Sequence, residues 1–250
     1  MPQRALATPQ SPDLPDHLVH MTTRVGKVAP ELNPAIAQQS PVVRLASILW
    51  TGWLAYGYPL DGGVMQSACF TQTTPSALGA LLSGPVRRYS GALGIAFHKQ
   101  AVWSAGGAPV HYVRGDDWDD WQAAGLPDRV LGLGVRYWPG WDGQAPPEAG
   151  FFDDYWRRSR SEWMHEREWR IVRPRDDAGP GWVYPRDAVS HLLLGLPQER
   201  EEIAACISYW DRTAGDQLAT AWFATLPVSY YQPGLEPPFT PPTLQAPPSS

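Results

Sequence analysis

The chain has 250 residues, of which 43% are hydrophobic and 18% charged, so it is long enough to bury a sizeable core and too apolar to be a disordered polymer. Its formal net charge of -5 argues against a basic surface that wraps duplex nucleic acid, while leaving room for a locally positive cleft. The unusual features are 13 Trp and 27 Pro, with many of the prolines gathered at the two ends.

Residues 1–16 form a Pro-rich, flexible lead without the apolar core of a secretion signal. Nowhere do roughly 20 apolar residues follow one another, so no membrane span is expected and the expected location is the cytoplasm. The segment `HLVHMTT`, 17–23, reads as a strand, with His17, Val19 and Met21 on one face and Leu18, His20 and Thr22 on the other. After a linker with Pro30, Pro34 and Pro41, `VVRLASILWTGWL` spaces Leu45, Ile48, Leu49 and Trp53 as a helix does, with Gly52 as a stop signal. `MQSACFTQT`, 65–73, reads as a strand, and `PSALGALLSG`, 75–84, as a short helix opened by Pro75. `GALGIAFHK`, 91–99, is a buried strand, and `GGAPVHYVRG`, 106–115, a turn and another strand.

The acidic, aromatic `DDWDDWQAAGL` is a loop-to-helix excursion, and `DRVLGLGVRY`, 128–137, fits either a strand or a segment helical in its first half. Residues 138–150 read as a loop and `FFDDYWRRSRSEW`, 151–163, as a short helix. `EREWRIV`, 166–172, alternates as a strand does, and `WVYP`, 182–185, ends a returning hairpin strand. `DAVSHLLLGL`, 187–196, and `QEREEIAACISYWD`, 198–211, both carry helical spacing. Residues 17–232 are thus one α+β domain, and 233–250 a Pro-rich flexible tail.

No nucleotide-binding loop, `HExxH` or `GxSxG` motif is present, and the six histidines do not fall at metal-ligand spacing with acids. Cys69 and Cys206 read as buried thiols of a reducing compartment, with a disulfide as the lesser alternative. What remains is a set of isolated polar residues. His20 suits a core-edge histidine, Thr71 an ordinary strand threonine, and Tyr89 with Ser90 a turn before a strand. In `HEREWRI`, period two puts Glu166, Glu168 and Arg170 on one face and Trp169 and Ile171 on the other. That charged trio is either a solvated edge or the wall of a cleft, and the pattern alone does not choose.

The order of these segments resembles the ADP-ribosyltransferase fold. It is most similar to bacterial phage-defence and toxin members, the DarT-type enzymes and related abortive-infection proteins. The residues that carry the resemblance are `HMT` at 20–22, the helix `LASILWTGWL`, `CFT` at 69–71, `YSGALGIAFHK` at 89–99, `GGAPVHY` at 106–112 and `EREWRI`. It covers roughly residues 17–190, with a long linker at 24–43 and `CFTQ` lacking an acid as its departures. The resemblance implies a central split, mixed or antiparallel sheet with flanking short helices, and NAD as substrate with no metal. It implies that His20 binds the nicotinamide ribose beside Thr22, and that Glu168 is the catalytic acid of an `ExE` pair. Glu166 then positions or activates the acceptor, Tyr89 stacks on nicotinamide, Thr71 lines the pocket, and Arg170 with Gln72 organises either the pyrophosphate or the groups that stand behind the pocket residues. Single-stranded DNA or RNA, or a protein, is the implied acceptor of a toxin or phage-defence effector. A noncatalytic binding or sensing module and an NAD glycohydrolase are the alternatives. The oligomeric state is not read from the sequence.

Overall fold

The computed structural model describes residues 14–23, 39–57, 65–83, 89–137, 167–174, 179 and 181–244. A seven-stranded sheet forms the centre. In spatial order its strands are β11 (Val228–Tyr230), β10 (Val189–Leu194), β4 (Gly94–His98), β1 (His17–Met21), β3 (Ser67–Thr71), β8 (Glu168–Val172) and β5 (Ala108–Pro109). Neighbours are antiparallel except β10 and β11, which run parallel. Two small sheets accompany it: β2 (Trp53–Ala55) pairs antiparallel with β9 (Gly181–Val183), and β6 (His111–Arg114) pairs parallel with β7 (Gly134–Tyr137). The described helices are α1 (Pro41–Thr51), α2 (Pro75–Ser83), α3 (Lys99–Ser104), α4 (Gly115–Ala123), α5 (Asp128–Leu133), α6 (Pro197–Ala214) and α7 (Leu218–Ala224). The architecture is mixed α+β around a mostly antiparallel sheet, as the interspersed short segments predict.

Both faces of the sheet are covered. Register decides which residues meet on each, since Val19 lies opposite Thr71 on one side and Ala96 on the other. One face turns Leu18, Phe70, Phe97 and Trp169 into the larger core, where Leu45 and Leu49 of α1 and Ile203 and Ile207 of α6 pack. The other turns Val19, Met21 and Ala96 toward α2, whose Leu78, Leu81 and Leu82 close a smaller core with Tyr89 and Phe239.

Local signals explain the helix ends. Ser40 caps α1 by accepting from the Val43 amide at 3.3 Å, Pro41 opens it, and Gly52 ends it in the left-handed region at φ 70°. Trp53, which helical spacing assigned to that helix, therefore begins β2 instead. Pro197 opens α6, and the Glu199 carboxylate reaches back to accept from the Gly195 and Leu196 amides at 2.7 and 2.9 Å.

Several expectations change. `DAVSHLLLGL` is not a helix: a single 3-10 turn at Arg186–Ala188 leads into β10. A strand covered on both faces can carry a continuous apolar run, and Leu192, Leu193 and Leu194 mimic helical spacing. Trp182 and Val183 of `WVYP` belong to β9, whose partner is β2 rather than β8. The 128–137 segment is helical first and a strand afterwards. Helices α3 and α7 and strand β11 carry no sequence expectation. The segments 138–150 and 151–163 lie outside the described residues. Beyond Pro233 the chain still packs: Phe239 is buried, its ring 5.3 Å from Tyr231, and Thr243 bridges Val228.

Two buried polar groups tie elements together. Asp211 of α6, 1% exposed, accepts from the Trp50 indole at 2.9 Å and from the Thr220 amide at 2.7 Å, so one carboxylate joins α1, α6 and α7. On the smaller-core side, His17 faces its register partner His98, and the buried His191 ring packs edge-on to His17 at 4.9 Å. Burial, then the neighbouring His17 and His98, pushes the His191 imidazole down to about 3. Among the described residues no helix is long and apolar enough to cross a membrane.

Replacing Asp211 with Ala strands an indole N–H and a backbone N–H. It should lower stability by about 2 kcal/mol in chemical denaturation, with Asp211→Asn costing less. The His191 pKa in the folded chain lies below its ordinary 6.5, so the unfolded chain takes up the proton first as pH falls. Its contribution is complete above about pH 6.5 and is lost on the way down to pH 3. Urea midpoints at pH 7 and pH 5 should fall for the wild type, and fall less for His191→Asn.

Candidate functional site

Glu168 is the first residue of β8, and Thr71 is its register partner across on β3. Period two then puts Ser67, Cys69 and Thr71 of β3 on the same face as Glu168 and Arg170 of β8, while Phe70 and Trp169 point into the larger core. The Glu168 side chain is 13% exposed and that of Arg170 is 1% exposed. Between them the hydrogen bonding is bidentate: Arg170 Nε donates to Glu168 Oε1 at 2.8 Å and Nη2 to Oε2 at 3.1 Å. The remaining Nη1 donates to the carbonyls of Gly132 at 3.2 Å and Gly134 at 3.4 Å, where α5 passes into β7.

Cys69 completes this patch. Its Sγ lies 3.5 Å from Ser67 Oγ, and the thiol is also hydrogen-bonded to Glu168. Burial first, and the Glu168 charge second, push the thiol up to about 12, while Arg170 pulls the other way. Cys69 is therefore a neutral donor to the carboxylate and not a nucleophile. Both cysteines are free thiols.

The chain enters β8 through Arg167, which has φ 46°. A non-glycine residue in the left-handed region costs about 1–2 kcal/mol. The Arg167 carbonyl accepts from the Gln72 amide at 3.2 Å, which pins the turn to the end of β3.

The other sequence-predicted residues fall elsewhere. His20 projects with Phe70 from the face opposite Glu168, its ring 6.2 Å from the Phe70 ring. Its Nδ1 lies 2.9 Å from the Cys69 carbonyl. A carbonyl only accepts, so Nδ1 carries the proton in that bond. Thr22 sits three register rows from the Glu168 row, about 10 Å along the strands. There its Oγ1 donates to the Leu93 carbonyl at 3.1 Å and lies 3.3 Å from that of Pro41. Tyr89 is buried in the smaller core at that same end, where the Ser90 amide donates to the Thr23 carbonyl. Gln72 uses both ends of its amide: Oε1 accepts from the Trp169 indole at 2.8 Å, and Nε2 donates to the Pro15 carbonyl at 3.3 Å. Glu166 lies outside the described residues.

The structure thus brings Thr71, Glu168 and Arg170 together, and sets His20, Thr22 and Tyr89 apart from them. Sequence reasoning passed over Ser67 and Cys69, although the alternation of `SACFT` puts both with Thr71. It also passed over the Gly132–Gly134 corner, for which no local signal exists. A carboxylate offers about four acceptor sites, so Glu168 keeps capacity beyond its bonds to Arg170 and Cys69, and its exposed side suits a hydroxyl donor. Among the described residues no group of three or more His, Cys, Asp or Glu is placed to hold a metal ion.

No protein-family model matches the chain, and no curated protein does. Among solved structures it is similar to Thermus sp. 2.9 DarT in complex with carba-NAD+, at 15% identity, over 79% of this chain and 91% of that chain, with a TM-score of 0.34. At that score the likeness is too distant to assign a fold family, an activity or a substrate to this chain.

Proposed function

We propose that the chain is an NAD-dependent ADP-ribosyltransferase in which Glu168 supports the departure of nicotinamide and Thr71 lines the pocket beside it. One observation carries the reading. Glu168 is a partly exposed carboxylate on the first residue of a core strand, braced on both oxygens and approached through the left-handed Arg167. Strain of about 1–3 kcal/mol at one residue persists where the surroundings hold a side chain at a fixed angle.

A ribose hydroxyl fits such a group, because it donates where the carboxylate still accepts. When bound, the dinucleotide supplies a glycosidic bond whose electron pair leaves with nicotinamide, so positive charge grows at the ribose C1′. Glu168 orients the sugar through its hydroxyl and sets a fixed negative charge beside that carbon. A charge placed in advance lowers the energy of the transition state more than that of bound substrate. The acceptor's lone pair then forms the new bond to C1′, and the acceptor loses a proton. Single-stranded DNA or RNA, or a protein, is the acceptor class within this proposal, and a toxin or phage-defence role belongs to it.

A second reading has its own support. His20, Thr22 and Tyr89 do not share the Glu168 patch, which favours a chain that binds without turning substrate over.

Incubation with NAD and a panel of single-stranded DNA, RNA and cell protein, read by mass spectrometry, separates these. The expected result is released nicotinamide together with ADP-ribose mass on one acceptor class. Nicotinamide with free ADP-ribose alone means a glycohydrolase, and neither turnover nor NAD binding means the noncatalytic module. Glu168→Gln should lower turnover by about 100-fold or more. Because it leaves Arg170 buried without its counter-charge, it should also cost about 3 kcal/mol of stability. Turnover is therefore compared at a temperature where circular dichroism shows both proteins folded. A Glu168→Gln protein that is folded and fully active would sink the assignment.

A further inference from the structure

Resting on the role proposed for Glu168, we infer that Arg170 is a positioning residue for that carboxylate and not a contact of the dinucleotide. A guanidinium has five N–H donors in a rigid planar fork. Here Nε and Nη2 go to the two Glu168 oxygens, and Nη1 goes to the Gly132 and Gly134 carbonyls. The side chain is 1% exposed, so a phosphate does not reach it without displacing what covers it.

The corner that covers it is shaped for close approach. A Cβ on Gly132 would meet Val172 Cγ1 at 2.5 Å, and one on Gly134 would collide with the Trp118 ring. Backbone can come this near only where the side chain is missing. Arg170 therefore reads two references at once. Its fork is set by a corner 36 to 38 residues away in sequence, and in turn sets the plane of the Glu168 carboxylate. A carboxylate with neither reference would turn about its own side-chain torsions. Lysine keeps the charge at this position but has no fork to hold both oxygens.

Two measurements on the full chain test this. In the first, NAD turnover is compared for wild type, Arg170→Lys and Arg170→Met, each confirmed folded by circular dichroism. A misplacement of about 1 Å at a reacting group costs on the order of a hundredfold in rate. The expected result is a kcat lower by roughly that factor in both variants, with KM for NAD within about twofold of wild type. A raised KM with an unchanged kcat would mean that Arg170 touches the dinucleotide, and would overturn the inference. In the second, urea midpoints are taken for Glu168→Gln, Arg170→Met and the double variant, with no substrate present. Each single change should lower the midpoint, and the double variant should unfold no earlier than the worse single. Strictly additive losses would mean that the pair does not act as a unit, and would also overturn it. Should the wild type turn over no NAD, the enzymatic reading fails, and the second measurement alone decides whether Arg170 holds Glu168.

Discussion

A guanidinium almost sealed from water has to be answered on every side, and much of the surrounding structure is the answer to Arg170. An unpaired charge in that position would cost many kcal/mol. Glu168 supplies the counter-charge from the same strand, two residues earlier, and the carbonyls at Gly132 and Gly134 accept from Nη1. Those carbonyls reach the guanidinium only because the corner carries glycines where it meets Val172 and Trp118. The pairing of β3 with β8 then brings Cys69 opposite Arg170, and the thiol stays neutral beside the carboxylate. One buried ion pair thus links the centre of the sheet, the junction of α5 with β7, and the polar row on β3.

The two faces of the sheet divide the labour. One is devoted to packing, where Phe70 meets Phe97 and Trp182 edge to face, Trp182 lies tilted on Phe97, and Trp169 is buried in the same core. The other is apolar beneath α2 but polar toward β8, and the candidate site lies there. Rigid strands hold this row, and its neighbours in sequence are anchored in the larger core. Glu168 precedes Trp169, whose indole is bonded to Gln72, so packing on one face fixes chemistry on the other.

Elements with a clean period were legible in the sequence. β1 and β8 alternate, β3 and β4 read as short strands, α1 and α6 show helical spacing, and Pro75 marks the opening of α2. β10 was not legible, because Leu192 and Leu194 face one core and Leu193 the other, and three leucines in a row suit either state. The partner of β9 was not legible either, since pairing with β2 joins segments more than 120 residues apart and leaves no local mark. Within the site, period two sufficed to put Glu168 and Arg170 on one face. It said nothing of how deeply Arg170 is buried, because the corner that covers it arrives from elsewhere in the chain. His20 takes the face of β1 that the alternation gives it, but which face of β3 it meets depends on Val19 lying opposite Thr71. A one-residue slip of that register would have reversed the outcome.

The margins of the central sheet have a consequence of their own. At one margin β5 is only two residues long and includes Pro109, which has no N–H to offer. At the other, β11 is bridged by Thr243, with amides and carbonyls exchanged between Val228 and Thr243. Among the described residues neither margin presents a long row of unpaired backbone groups to a passing strand, which makes them poor templates for edge-to-edge association. Part of that protection comes from the Pro-rich segment after Pro233. A chain ending at 232 would keep every strand of the sheet yet uncover β11 and the Phe239 side of the smaller core, trading a sealed boundary for a sticky one.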